Sequence, residues 1–201
     1  KLIIIKRRKL TITATTFLLL IAQISCNNYP TGFISKKEYR EWIFSSESGF
    51  TQVSKSDQLE FKLVHLPDEL MQYQDSATKE DYTVKQFQLL ISPQNDQIEL
   101  FKVGIDDSES LDKRIQKLEF KTDSLFTAEV SGQTLLPVFT HYENYRGIKE
   151  EVLIHLHFET MKEITDDFTV VLNDFIFQSG EHRFVFEADK LNNPPLLKTI
   201  N

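Results

Sequence analysis

Cysteine is almost missing from this chain. Of its 201 residues only Cys26 carries a thiol, so the body can hold neither a disulfide nor a thiol nucleophile with a resolving partner. Glycine is scarce too: six in the whole sequence leave no phosphate loop and no Gly-rich dinucleotide turn, which sets nucleotide chemistry aside. No Gly-x-Ser-x-Gly elbow occurs, the serines sit mostly in turn contexts, and no hydrolase nucleophile stands out. One Trp and six Tyr stand against 16 Phe, a balance that favours core filling over the amphipathic rings that stack on sugars. The apolar stretch Leu10 to Ala22 is diluted by four threonines and falls short of the roughly 20 apolar residues a spanning helix needs.

What the N-terminus does contain is an order. Lys6-Arg7-Arg8-Lys9 precedes the apolar stretch, and small Ser25 follows it, which is the order of an export signal. Gln23-Ile24-Ser25-Cys26 resembles the lipobox of bacterial lipoproteins, in the looser form of the Bacteroidota, with Gln23 where leucine is usual. That resemblance implies a signal-peptide helix in residues 1–25 that is cut away, and a diacylated (palmitate-bearing) Cys26 as the new N-terminus. Ile24 and Cys26 fit the Ala-x-Ala alternative poorly. Residues 26–34 then read as a tether, and 35–201 as one β-rich domain.

Charge supports the same division. Cleavage after Ser25 takes Lys1, Lys6, Arg7, Arg8 and Lys9 from the 23 basic residues and nothing from the 30 acidic ones, leaving 18 against 30, a formal −12. Such a body repels nucleic acid and anionic lipid head groups, so membrane attachment has to come from lipid on Cys26. No acidic cluster follows Cys26, and in Bacteroidota lipoproteins such a cluster tends to mark export to the surface. The resemblance therefore implies an outer-membrane protein facing the periplasm.

Periodicity along the body is mostly of the strand kind. Ser35-x-x-Glu38 reads as a capping box opening a short helix with Tyr39, Trp42 and Ile43 on one face. Strands are expected at Leu59–Val64, Val84–Ile91, Ile98–Val103, Leu125–Val130, Gln133–His141, Val152–Phe158, Phe168–Leu172, Asp174–Phe177 and His182–Phe186. Ser131-Gly132 supplies the positive φ of a tight hairpin. One clear helix is expected over Asp106–Glu119, with Leu111, Ile115 and Leu118 on one stripe and Ser108 or Ser110 as cap. Many short strands without a strand-helix alternation predict an antiparallel β-sandwich-like domain with one or two short helices.

The body also resembles a group of uncharacterised Bacteroidota lipoproteins in its aromatic segment Tyr39–Trp42, its Leu66-Pro67-Asp68-Glu69-Leu70-Met71 turn, and Phe184–Glu187 leading to Pro194-Pro195. That likeness implies location and class, and no activity. Asp75-Ser76-Ala77 and Asp123-Ser124-Leu125 resemble the O-glycosylation acceptor of those bacteria, which implies Ser76 and Ser124 as modification sites.

Three groups could carry chemistry. His155-x-His157-x-Glu159 places two imidazoles and a carboxylate on one face of a strand, a set that could hold a divalent metal if His182 or Asp189 lay beside it. A half-exposed strand gives the same alternation with no metal. The acidic pairs Asp106-Asp107, Glu150-Glu151 and Asp166-Asp167 read as solvated surface, and Asp106-Asp107-Ser108-Glu109 as helix capping more than calcium binding. Tyr142 and Tyr145 bracket a polar segment that reads as an exposed recognition loop. The expectation is a non-enzymatic binding or assembly role with a protein or glycan partner, without a cofactor. The alternative is a metal-dependent envelope hydrolase using His155 and His157.

Overall fold

The computed structural model describes residues 30, 32–33, 35–70, 81–105, 107–143 and 151–197. In chain order the strands are β1 (Gly32–Phe33), β2 (Thr51–Lys55), β3 (Leu59–Leu66), β4 (Tyr82–Pro93), β5 (Phe126–Val130), β6 (Gln133–Leu135), β7 (Phe139–Glu143), β8 (Val152–Met161), β9 (Phe168–Asp174), β10 (Gly180–Phe186) and β11 (Leu196–Leu197). The helices are α1 (Lys36–Ile43), α2 (Ser108–Phe120) and α3 (Ala188–Asn192). Five strands form one antiparallel sheet in the order β2-β3-β4-β8-β7, and four form a second in the order β10-β9-β5-β6. The protein is therefore mostly β, a single sandwich-like domain as the alternation predicts.

The sheets face each other because each strand buries every second residue. Phe61 and Leu63 of β3, Phe87 and Leu89 of β4, and Ile154, Leu156 and Phe158 of β8 meet Phe126, Phe168, Val170, Phe184 and Phe186 from the other sheet in one buried cluster. Phe87 stacks on Phe168 at 5.5 Å between ring centres and touches Phe186 at 5.1 Å and Phe158 at 6.1 Å. A satellite cluster lies on the outer face of the larger sheet, where Tyr39 and Ile43 of α1 cover Phe50, Val64 and Leu66. Ser35 caps α1 by accepting from the Glu38 N–H at 3.2 Å. The short parallel pair β1 and β11 brings Phe33 onto Tyr39, ring centres 5.0 Å apart.

Several expected elements differ. Ile98–Val103 is a short 3-10 turn over Leu100–Lys102, because the Arg114 guanidinium takes the carbonyls of Phe101 (3.0 Å) and Val103 (2.6 Å) that a strand would have given to a neighbour. The expected strand Gln133–His141 is cut at Pro137, which has no N–H for a ladder; β6 stays in the smaller sheet and β7 joins the larger one. Asp174–Phe177 is a turn, with the Asp174 carboxylate accepting from the N–H groups of Ile176 (3.0 Å) and Phe177 (2.9 Å). Asp107, and neither Ser108 nor Ser110, caps α2, accepting from the Ser110 N–H at 2.7 Å. Four of the labelled elements lacked an expectation altogether: strands β1, β2 and β11 and the one-turn helix α3. The Ser131-Gly132 hairpin forms as expected, both residues at positive φ (48° and 73°).

Phe87 has neighbours from both sheets, so no local shift refills its place. Phe87→Ala is expected to lower stability by about 3–5 kcal/mol, read as a fall in the urea midpoint at unchanged slope.

Candidate functional site

Strand β8 turns Val152, Ile154, Leu156 and Phe158 inward, which leaves Leu153, His155, His157 and Glu159 on the outer face. Register decides what stands beside them. On one side β7 brings Phe139 opposite His157 and His141 opposite His155; on the other, β4 brings Gln86 and Gln88 opposite the same two histidines. The Phe139 and His157 rings lie 4.8 Å apart, and those of His141 and His155 lie 6.5 Å apart. His155 Nε2 meets the Glu143 carboxylate at 2.7 Å. Burial, with the neighbouring charge of His155, pushes the His157 imidazole below its ordinary range, so it is neutral at physiological pH.

This arrangement does not assemble the expected metal set. His155 is committed to a carboxylate across the β7–β8 pair, and Glu159 lies two residues beyond His157, where β7 has not yet begun. His182 belongs to the other sheet, and Asp189 sits on α3 holding the Asn193 amide at 3.0 Å. Among the described residues no three His, Cys, Asp or Glu side chains come together in a form that could hold a metal ion. Nor is Tyr142 in an exposed loop: it is an inward residue of β7, 8 % exposed in the main core. Ser124 is exposed on a 3-10 turn, its hydroxyl donating to the Lys121 carbonyl at 2.8 Å. Cys26, Ser76 and Tyr145 lie outside the described residues, as do Asp106 and Glu150. Asp107 acts as the α2 cap, and the Ser110 hydroxyl and N–H hold its carboxyl below the usual range.

Beside the histidines runs an apolar ridge. The chain crosses from β6 to β7 through Leu136, Pro137 and Val138, with Val138 N–H donating to the His157 carbonyl at 2.8 Å. Leu136 is 72 % exposed, Val138 58 % and Phe139 47 %. Three large apolar side chains exposed within four residues, Leu136, Val138 and Phe139, are of the kind that marks contact surfaces. Among the described residues, no helix is long and apolar enough to cross a membrane.

Sequence reasoning named His182 only as a possible further metal ligand and passed over His65; both face inward. His182 precedes Phe184 and Phe186 on the buried side of β10, and His65 follows Phe61 and Leu63 on that of β3. The signal was there: a polar residue in phase with an apolar alternation. His182 Nδ1 meets the Ser54 hydroxyl at 2.8 Å and its Nε2 meets the Ser179 hydroxyl at 2.8 Å; Ser179 in turn donates to Asp174. His65 sits between the Phe50 and Phe87 rings, and its buried Nδ1 has no hydrogen-bond partner among the described residues. Burial and nearby Lys85 push its pKa down to about 3. Lys85 is itself pushed down by burial, against the opposing pull of Asp68, and donates to the Leu191 carbonyl at 3.1 Å.

The chain matches no protein-family model, and neither the curated proteins nor the solved structures contain one that matches it.

The His65 imidazole is neutral in the fold and must charge in acid. Because its folded pKa is depressed, its contribution is complete above about pH 6.5 and is lost as pH falls toward 3. The stability difference between the wild type and His65→Leu should therefore shift against the wild type below pH 6.5, by up to about 1.4 kcal/mol per pH unit. Urea titrations from pH 7.5 to 4 read this directly, and a difference independent of pH contradicts it.

Proposed function

We propose that this chain is a lipid-anchored binding protein of the bacterial cell envelope, tethered through Cys26 and taking a protein partner along the ridge Leu136-Pro137-Val138-Phe139. The observation that carries the reading is the exposure of Leu136, Val138 and Phe139 in one run at the edge of both sheets. Apolar side chains left in water cost free energy that a partner's surface recovers, and a polar border gives such a patch its register. An edge strand adds a second means of contact, since a partner strand can extend the sheet through backbone hydrogen bonds. The surrounding surface suits a protein better than a sugar: the rings beside the ridge are Phe139 and two histidines, and Tyr142 is turned inward.

The anchoring half of the proposal rests on the residue order Lys6-Arg7-Arg8-Lys9, apolar stretch, Ser25-Cys26. A body of −12 gains nothing from anionic lipid, so two acyl chains on Cys26 would supply the attachment. The lack of an acidic run after Cys26 favours the periplasmic side of the outer membrane.

Two experiments test the halves separately. Cells fed an alkyne fatty acid should label the wild-type chain, with the label abolished in Cys26→Ala; equal labelling of both removes the anchor. A photo-crosslinking residue placed at Val138 should give one discrete protein adduct, absent when it is placed at exposed Val185 on β10 and lost on adding Leu136→Asp. An adduct to polysaccharide turns the reading to glycan capture, and an unchanged adduct in Leu136→Asp ends the claim for the ridge.

A further inference from the structure

We infer that Ser54 is an activated nucleophile, able to accept an acyl group from a carboxylic ester with His182 as its general base. The inference is independent of the partner-binding reading and starts from a carboxylate that can only accept. Asp174 takes the Ser179 hydroxyl proton as a hydrogen bond, so the Ser179 oxygen has to act as acceptor toward His182 Nε2. That assigns the imidazole proton to Nε2 and leaves Nδ1 as an acceptor, so the Ser54 hydroxyl donates to it at 2.8 Å. The chain runs in one direction, Ser54 to His182 to Ser179 to Asp174, and every donor in it has an acceptor.

This is the logic of a serine, a base and a group that orients the base, with one hydroxyl interposed before the carboxylate. Asp174 is itself fixed by the N–H groups of Ile176, Phe177 and Ser179, the last at 3.1 Å, so the imidazole is held by a rigid turn. The Phe61 ring lies 4.1 Å from that of His182 and keeps one side of it dry. Burial lowers the imidazole's pKa against the opposing pull of Asp174, which keeps it in its basic form at neutral pH. Ser54 itself is half-buried on β2, the last strand of its sheet, beside β10, the last strand of the other. Its hydroxyl thus lies at the seam between the two sheets.

The Ser54 oxygen attacks the ester carbonyl carbon while its proton passes to Nδ1 and the carbonyl π pair moves onto oxygen. Collapse expels the alkoxide, which takes that proton and leaves as the alcohol, with Ser54 acylated. Water repeats the sequence to release the acid and restore the hydroxyl. Ser179 and Asp174 act as positioning residues.

The test is treatment of the full chain with a fluorophosphonate, which phosphonylates activated serines with loss of fluoride, followed by peptide mass spectrometry. The expected result is labelling at Ser54 that far outruns exposed Ser131, is constant from pH 7 to 8 and falls in acid as the imidazole is protonated. His182→Gln should slow it about 100-fold, and Ser179→Ala should move the pH at which it falls. Labelling of Ser54 no faster than Ser131, or a rate unchanged in His182→Gln, overturns the inference. Should His182→Gln fail to fold by circular dichroism, the wild-type pH profile decides, and a rate with no acid limb overturns it equally.

Discussion

The contact on which everything else depends is the stack of Phe87 on Phe168 across the gap between the sheets, joined by Phe158 and Phe186. Each sheet buries one face only because the other supplies aromatic rings to cover it, and without that exchange neither is a stable element. The stack also fixes register. A one-residue slip of β4 would send Phe87, Leu89 and Ile91 to the outer face and bring Gln86 and Gln88 in. The outer row of β8 is set in the same way, so the placing of His155 and His157 follows from inward phenylalanines more than from the histidines' own contacts.

The two lateral edges of the sandwich then differ in kind. At one, β2 and β10 approach and the Ser54–His182 hydrogen bond joins the sheets. At the other, the chain itself crosses from β6 to β7 through Leu136, Pro137 and Val138. A crossing chain cannot pair along its whole length, and large apolar residues in it have little to pack against. The exposed ridge is thus a consequence of the topology, and its composition is the unusual part: polar residues would cost nothing there, whereas Leu, Val and Phe do. The closed edge gathers the polar groups of the proposed acyl transfer, and the crossed edge carries the proposed contact surface.

Legibility from sequence followed locality. Strands β3, β4 and β8 could be read because their apolar alternation is decided within each strand, and α1 because Ser35 and Glu38 are three residues apart. Ile98–Val103 has strand composition, and what prevents a strand is Arg114, eleven to thirteen residues further on and drawn to two of its carbonyls. Gln133–His141 was read as one strand through Pro137, and which sheet each half joins depends on β5 and β8 rather than on the segment itself. The histidines of β8 were visible as a polar face, while their neighbours Phe139, His141 and Glu143 come from register alone. Ser54, Ser179 and Asp174 lay hidden for the same reason, since residues 54 and 182 meet only after both sheets have formed.

Hydrogen exchange of the full chain, with and without native envelope membranes, tests the central claim that a stable two-sheet core carries an apolar ridge awaiting a partner. The account predicts slow exchange in peptides spanning 84–91 and 153–158 under both conditions. Peptides spanning 135–141, on an edge strand and the crossing before it, should exchange faster than the core strands in the isolated chain and gain protection on membranes. Equal protection of 135–141 in both conditions would contradict it.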